Sequence, residues 1–283
     1  MAASSIRSNP LLENPDEPRR RFMLVLGYDG APFNGWQIQP NDPSVQESLE
    51  KALNTALRSP LHIVGAGRTD TGVNAREMVA HFDLPEEIGK TLATDKAMQN
   101  KVLHTLNAIL RPAIAVFYIV PVPNEAHSRF DAVSRTYRYY LHTVPDPFRS
   151  QSSRYFYLPV DFELMNTEAL DLIGTKDFTS FSKLHTDTNN NICTVTAAKW
   201  HQYGDGHYFF EITANRFLRN MVRAIVGTLL DVGTGRNHPG HVKKVIEAMN
   251  RCAAGTSVPG HALYLWKIDY PYPLPSVPLP NSL

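Results

Sequence analysis

At 283 residues, with 43% hydrophobic and 19% charged side chains, the chain has the make-up of an ordinary globular protein of two modest domains or one large one. No apolar run reaches the ~20 residues that a membrane helix needs, so a membrane protein is not expected. A formal charge of +1 does not announce a nucleic-acid binder, so any RNA-binding surface has to come from segregating the charges.

The first 21 residues have no apolar stretch behind a basic start, which argues against a secretory signal, and Glu13, Asp16 and Glu17 argue against a transit peptide. Their Pro, Ser and charge content suits a disordered lead-in, with Arg19–Arg21 as its solvated end. A cytoplasmic location follows as an expectation. Phe22–Asp29 reads as a strand. Ser44 to Glu47 is a capping box, opening a helix whose Val45, Leu49, Ala52, Leu53, Ala56 and Leu57 share a buried face. Leu61–Val64 and Met78–Leu84 read as strands on either side of a glycine-rich connection. Val102–Leu110 marks a second helix, ended by Arg111-Pro112, and Ile114–Val120 a further strand.

The second half repeats the plan more loosely. Ser134–Thr143 reads as a strand with Tyr137, Tyr139 and Leu141 on one face. A helix over roughly Phe162–Ile173 stops at Gly174, and Thr194–Gln202 with Tyr208–Thr213 form a hairpin around Gly204-Asp205-Gly206. Helices near Arg216–Val232 and Pro239–Ala253 lead to a last strand, Ala262–Tyr270. A proline-rich tail then hangs free or lies along the surface. The order β-α-β-β-α-β predicts an α+β fold of two ferredoxin-like (RRM-like) units. Their mostly antiparallel sheets would join into one extended sheet with a central cleft. The expected limits are 1–21 for the lead-in, 22–125 and 126–271 for the two domains, and 272–283 for the tail. Cys193 and Cys252 fit no disulfide or zinc pattern and read as two buried thiols in a reducing compartment.

Three segments could carry chemistry. Gly65–Ala75 places three glycines around Arg68 and Asp70, a loop able to push one short carboxylate into a cleft while Arg68 orients it or holds a phosphate. A surface turn with a local ion pair fits the same spacing. In Asn215–Gly227, read as helix, Leu218, Val222, Ile225 and Leu229 face the core, while Arg216, Arg219 and Arg223 stack on another face. Such arginines call for an anion nearby, either a phosphate backbone or a carboxylate such as Asp70, unless they form a solvated stripe. His127, Arg129 and Phe130, followed by Arg135–Tyr139, interleave cations with aromatics, as suits contact with an unpaired base. An amphipathic strand with its tyrosines in the core is the alternative. The eleven histidines show no metal-ligand pair.

Taken together, these segments closely resemble the tRNA pseudouridine synthase A family. The resemblance rests on YDGAPFNGWQIQP (28–40), SVQESLEKAL (44–53), GAGRTDTGVNA (65–75), VAHFD (79–83), SRFDAVSRTYRYY (128–140), DFTSFSK (177–183), NRFLRNMVRAIVG (215–227) and ALYLWKIDYP (262–271), in family order. It implies that Asp70 is the catalytic aspartate and that Arg68 helps flip the target base. It further implies that Tyr137 contacts the uracil, that Arg223 pairs with the carboxylate, and that Leu263 lines the uracil pocket. His127, Arg129, Phe130, Arg216 and Arg219 are expected on the RNA. The family implies a homodimer without metal or cofactor, acting on uridines 38, 39 and 40 of the tRNA anticodon arm. Two departures stand out: Asn74 where the family often has His, and Met78 where it often has Gln.

The chemistry agrees. Pseudouridine formation breaks the N1–C1′ bond, turns the uracil and rejoins it through C5, with no redox change and no group donor. A carboxylate can act covalently or stabilise the ribose meanwhile, and an arginine can hold it ionised through two parallel hydrogen bonds. Two competing readings remain: a non-catalytic RNA-binding protein on the same fold, which would not need the nucleophile, and a metal-dependent nuclease, which would need more clustered carboxylates than this loop offers.

Overall fold

The computed structural model describes residues 18–183 and 190–280. Residues 1–17 of the lead-in expected over 1–21, and the end of the tail, 281–283, lie outside the described residues. β1 (Arg19–Tyr28) is buried continuously from Phe22, because both faces of the sheet are covered there. α1 (Val45–Leu57) starts where Ser44 Oγ accepts from Glu47 N at 3.2 Å. The reciprocal half of the capping box is replaced by an ion pair from Glu47 to Lys51 at 2.6 Å. β2 (Ile63–Gly65) and β3 (Asn74–Pro85) flank the glycine-rich loop. α2 (Glu86–Thr94) and α3 (Lys96–Leu110) follow, the latter capped by Asp95, which accepts from Ala97 N and Met98 N. β4 (Ile114–Pro121) closes the first half.

The second half contains β5 (Ser134–His142), the short β6 (Arg154–Tyr155), α4 (Phe162–Ala169), β7 (Gly174–Asp177), β8 (Ile192–Gly204) and β9 (His207–Ala214). It finishes with α5 (Met221–Gly233), α6 (His241–Ala248) and β10 (Leu263–Asp269). Among the described residues this is a mixed α+β fold with one ten-stranded sheet, in the order β4-β1-β3-β10-β5-β9-β8-β7, with β2 on β3 and β6 on β5. The pairings are antiparallel except β5 with β6 and β10 with β3. The latter joins the halves by setting Tyr264 against Asn74 and Leu265 against Ala75.

Two apolar cores form, and each takes residues from the other half of the sequence. The core under α1–α3 includes Leu265 and Ile268 of β10 and Val277 of the tail, while the core under α4–α6 includes Val73 from the Gly65–Ala75 loop. Tyr137 packs against both. The tail therefore lies along the surface: Arg76 donates to the carbonyls of Leu279 (2.6 Å) and Pro280 (3.2 Å).

Several expectations need correction. β1 begins at Arg19, so Arg20 and Arg21 are sheet residues paired with Glu86 (2.6 Å) and Asp83 (2.7 Å) rather than a solvated tail. Cys193 is buried as expected, but Cys252 is exposed, in a short turn beyond α6. α5 starts at Met221, not Arg216, because Asn220 takes a left-handed conformation (φ 66°) that a continuing helix cannot accommodate. Arg216, Arg219 and Arg223 consequently do not share one helical face.

Candidate active site

The loop between β2 and β3 is pressed into shape from the side of residues 28–36. Trp36 N donates to Thr69 O (3.2 Å) and Gly72 N to Phe33 O (3.3 Å), while the Tyr28 and Thr69 hydroxyls meet at 2.9 Å. Gly35 makes this possible: its φ is +95°, and a Cβ there would stand 2.3 Å from Thr69 O. Gly72, at φ +73°, turns the chain so that Val73 N reaches Asp70 O at 3.1 Å. Asp70 is thus fixed at the tip of a braced turn, with about a quarter of its side chain exposed (24%).

Two arginines face that carboxylate. Arg223, in the first turn of α5, places Nη1 3.3 Å from Oδ2, and Arg219, just before the helix, places Nε 3.6 Å from Oδ1. The expected two-pronged grip by Arg223 alone is not made, because its Nε is spent on Val258 O at 2.7 Å. Arg223 side chain is three-quarters buried, whereas Arg219 is open to solvent (59%). One cation belongs to the site wall and the other to its rim.

Tyr137, on β5, forms the neighbouring surface and meets Phe217 edge to face at 5.1 Å. Burial pushes its phenol up to about 12; Arg135 opposes the shift and the Asp70 carboxylate adds to it. The hydroxyl is therefore a protonated donor at neutral pH. Leu263 lies opposite Tyr139 in the ladder and Leu265 opposite Tyr137. Leu263 is buried in the second core, one edge of which reaches the loop through Val73.

A family model described as tRNA pseudouridine synthase matches residues 169–271. The tRNA pseudouridine synthase A of Bacteroides fragilis is 50% identical over 252 residues, covering 89% of this chain and 97% of its own. That of Parabacteroides distasonis is 53% identical over 254 residues, covering 89% and 96%. That of Bacillus subtilis is 40% identical over 254 residues, covering 88% and 99%. The chain belongs to the tRNA pseudouridine synthase A family. It is an isomerase acting on tRNA.

Within this member of the tRNA pseudouridine synthase A family, the remaining expected residues spread outward from Asp70. Arg68 is exposed and donates from Nε to Gln37 Oε1 at 3.1 Å. Arg216 reaches Asn190 Oδ1 at 3.4 Å. His127 and Phe130 rings lie 4.2 Å apart, with the Arg129 guanidinium 5.8 Å from the Phe130 ring, which is 75% exposed. His127 Nδ1 accepts from the backbone N–H groups of Arg129 (3.1 Å) and Phe130 (3.3 Å), and burial lowers its pKa, so the ring is a neutral acceptor that folds this turn.

The organising roles of two residues escape the sequence reading. Arg135 donates to four backbone carbonyls, those of Ala66 (3.1 Å), Arg129 (2.8 Å), Ala132 (3.0 Å) and Asn215 (2.9 Å). It thereby ties the Asp70 loop, the Phe130 turn and the segment before α5 to β5. Asn74 accepts from Gly30 N (2.8 Å) and donates to His261 O (2.7 Å), joining β3 to loops on both sides. Neither role has a local sequence signal, since the partners are main-chain groups, which any residue type supplies. Replacing Arg135 by Met keeps an unbranched apolar stem, removes the guanidinium and leaves four carbonyls without that donor. Stability is expected to fall by about 2–4 kcal/mol, read as a lower midpoint in urea unfolding, with turnover falling alongside.

Proposed function

We propose that this site converts uridine to pseudouridine at positions 38, 39 and 40 of the tRNA anticodon stem-loop, with Asp70 as the catalytic group. The observation that carries the reading is the meeting of Asp70 with Arg219 and Arg223 beside the partly buried phenol of Tyr137, so that the Gly65–Ala75 loop, the start of α5 and β5 together build one site. Detaching uracil from C1′ leaves charge on ribose and base. A fixed carboxylate answers the first, and the guanidinium groups keep that carboxylate compensated until the substrate arrives.

Reaching the bond requires lifting the base from its stack, at a cost of a few kcal/mol. Arg68, exposed at the rim, fills the vacated space. Tyr137 stacks on the extruded uracil and returns roughly 1–3 kcal/mol, and Leu263 lines the pocket beyond. His127, Arg129, Phe130, Arg216 and Arg219 carry the flanking RNA, with Phe130 as an open stacking face. The enzyme works without metal or cofactor, as a homodimer in the cytoplasm. Residues 22–125 and 126–271 form two ferredoxin-like units around a central cleft. The strand orders β4-β1-β3-β2 and β10-β5-β9-β8 support this, since each is the arrangement of a split β-α-β unit.

The reading is tested with tRNA transcripts carrying tritium at C5 of uridine, because a new bond at C5 expels that hydrogen. Release is expected from a substrate with uridine at 38–40, also in excess chelator, and none when all three are cytidine. Release that persists from the cytidine substrate would overturn the assignment of positions; release abolished by chelator would overturn the metal-free chemistry.

A further inference from the structure

The segment between α6 and β10 holds Arg223 at both its ends. Arg223 Nε donates to Val258 O at 2.7 Å, and Val258 N donates back to Arg223 O at 3.2 Å. Next to it, Ser257 Oγ accepts from Asn220 Nδ2 at 2.5 Å, and Asn220 is the left-handed residue that separates Arg219 from α5. The same Oγ accepts from Arg251 Nη2 at 2.9 Å, while Arg251 Nη1 reaches the carbonyls of Ala254 (3.3 Å) and Gly255 (3.2 Å). The segment is locked onto α5 by Gly255 N donating to Thr228 Oγ1 at 2.9 Å. Thr256 O approaches so closely that a Cβ on Gly227 would stand 1.9 Å from it.

Asp70 receives its two cations at 3.3 and 3.6 Å, near the outer limit of useful contact, so a few tenths of an ångström decide whether they engage. What sets that distance is where α5 begins and how its first turn is rotated. Among the described residues, Ser257 is the side chain that Asn220 bonds, and its chain neighbour Val258 bonds Arg223. We infer that Ser257 is a positioning residue for the isomerisation: through Asn220 and Val258 it fixes the reach of Arg219 and Arg223 to Asp70, without itself touching the carboxylate. This rests on the reading of Asp70 as the catalytic group.

The experiment compares single-turnover tritium release and tRNA affinity for Ser257→Ala, Ser257→Thr and Asn220→Gly. Glycine at 220 keeps the left-handed backbone and removes only the amide, so loss of folding does not confuse the result. Ser257→Ala and Asn220→Gly are each expected to lower the turnover rate roughly tenfold, the scale of a modest misplacement of reacting groups, with affinity for tRNA unchanged. Ser257→Thr, which retains the hydroxyl, restores the rate. In an Arg223→Lys background, where only the Arg219 contact is left to lose, Ser257→Ala should cost a clearly smaller factor. The inference is overturned if Ser257→Ala costs the same factor in both backgrounds, if threonine fails to rescue, or if affinity falls in step with turnover. Asp70→Asn separates the two levels: an active Asp70→Asn enzyme overturns the underlying reading, whereas an inactive one beside a fully active Ser257→Ala enzyme overturns the positioning role alone.

Discussion

Asp70→Asn is expected to abolish pseudouridine formation, lowering turnover by roughly a thousandfold or more, while tRNA binding stays near that of the parent protein. The substitution is isosteric, so the turn closed by Val73 N on Asp70 O and the hydrogen bond from Gly72 N to Phe33 O are untouched. What disappears is the negative charge that the proposed chemistry needs. Arg219 and Arg223 remain in place with only a neutral amide to face, which leaves the surface more attractive to phosphate, not less. Tritium release alongside a filter-binding isotherm makes the distinction. Equal loss of binding and turnover would assign Asp70 a purely structural part.

Gly35→Ala is expected to disable the site from a distance. Alanine at φ +95° lies outside its ordinary backbone regions, and its Cβ would stand 2.3 Å from Thr69 O, a main-chain atom that cannot rotate away. Either the 28–36 segment or the Asp70 loop has to move, and Trp36 N then loses Thr69 O. A destabilisation of about 2–4 kcal/mol is expected, together with a drop in turnover as Asp70 withdraws from its two cations. Gly67→Ala provides the contrast in the same loop: a Cβ there meets nothing within 4 Å and the backbone is not left-handed, so the unfolding midpoint should hold. Equal midpoints for the two variants would dismiss the steric account.

The parts legible in the sequence were those written locally. The Ser44 cap, the apolar stripe of α1 and the turn around Gly204–Gly206 each appear where neighbouring residues dictate them. α2 was missed because Gly89 interrupts it and Ile88 and Leu92 give only a thin apolar stripe; Gly89 is there because Arg20 crosses so close that a Cβ would come within 2.8 Å. The start of α5 was misplaced because Asn215–Asn220 carries helical spacing, and a single left-handed residue overrides it. At the site, chemistry and family kinship singled out Asp70, and the long-range contact with Arg223, 153 positions away, follows. Arg135 and Asn74 could not be read because they bind main-chain atoms, which leave no signature in side-chain identity. Arg68 was placed correctly in the loop, but its direction is set by Gln37, a residue that local spacing does not reveal.

The exchange of core residues between the halves bears on how the protein is made. Leu265, Ile268 and Val277 complete the apolar layer under α1–α3, and β10 is the strand through which β3 and β5 are linked. A ribosome that has translated only as far as residue 262 therefore carries a nascent chain in which the first hundred residues still expose the surface those three side chains will cover. Both halves must wait for the same stretch to emerge, and cotranslational folding of the amino-terminal half cannot finish ahead of it.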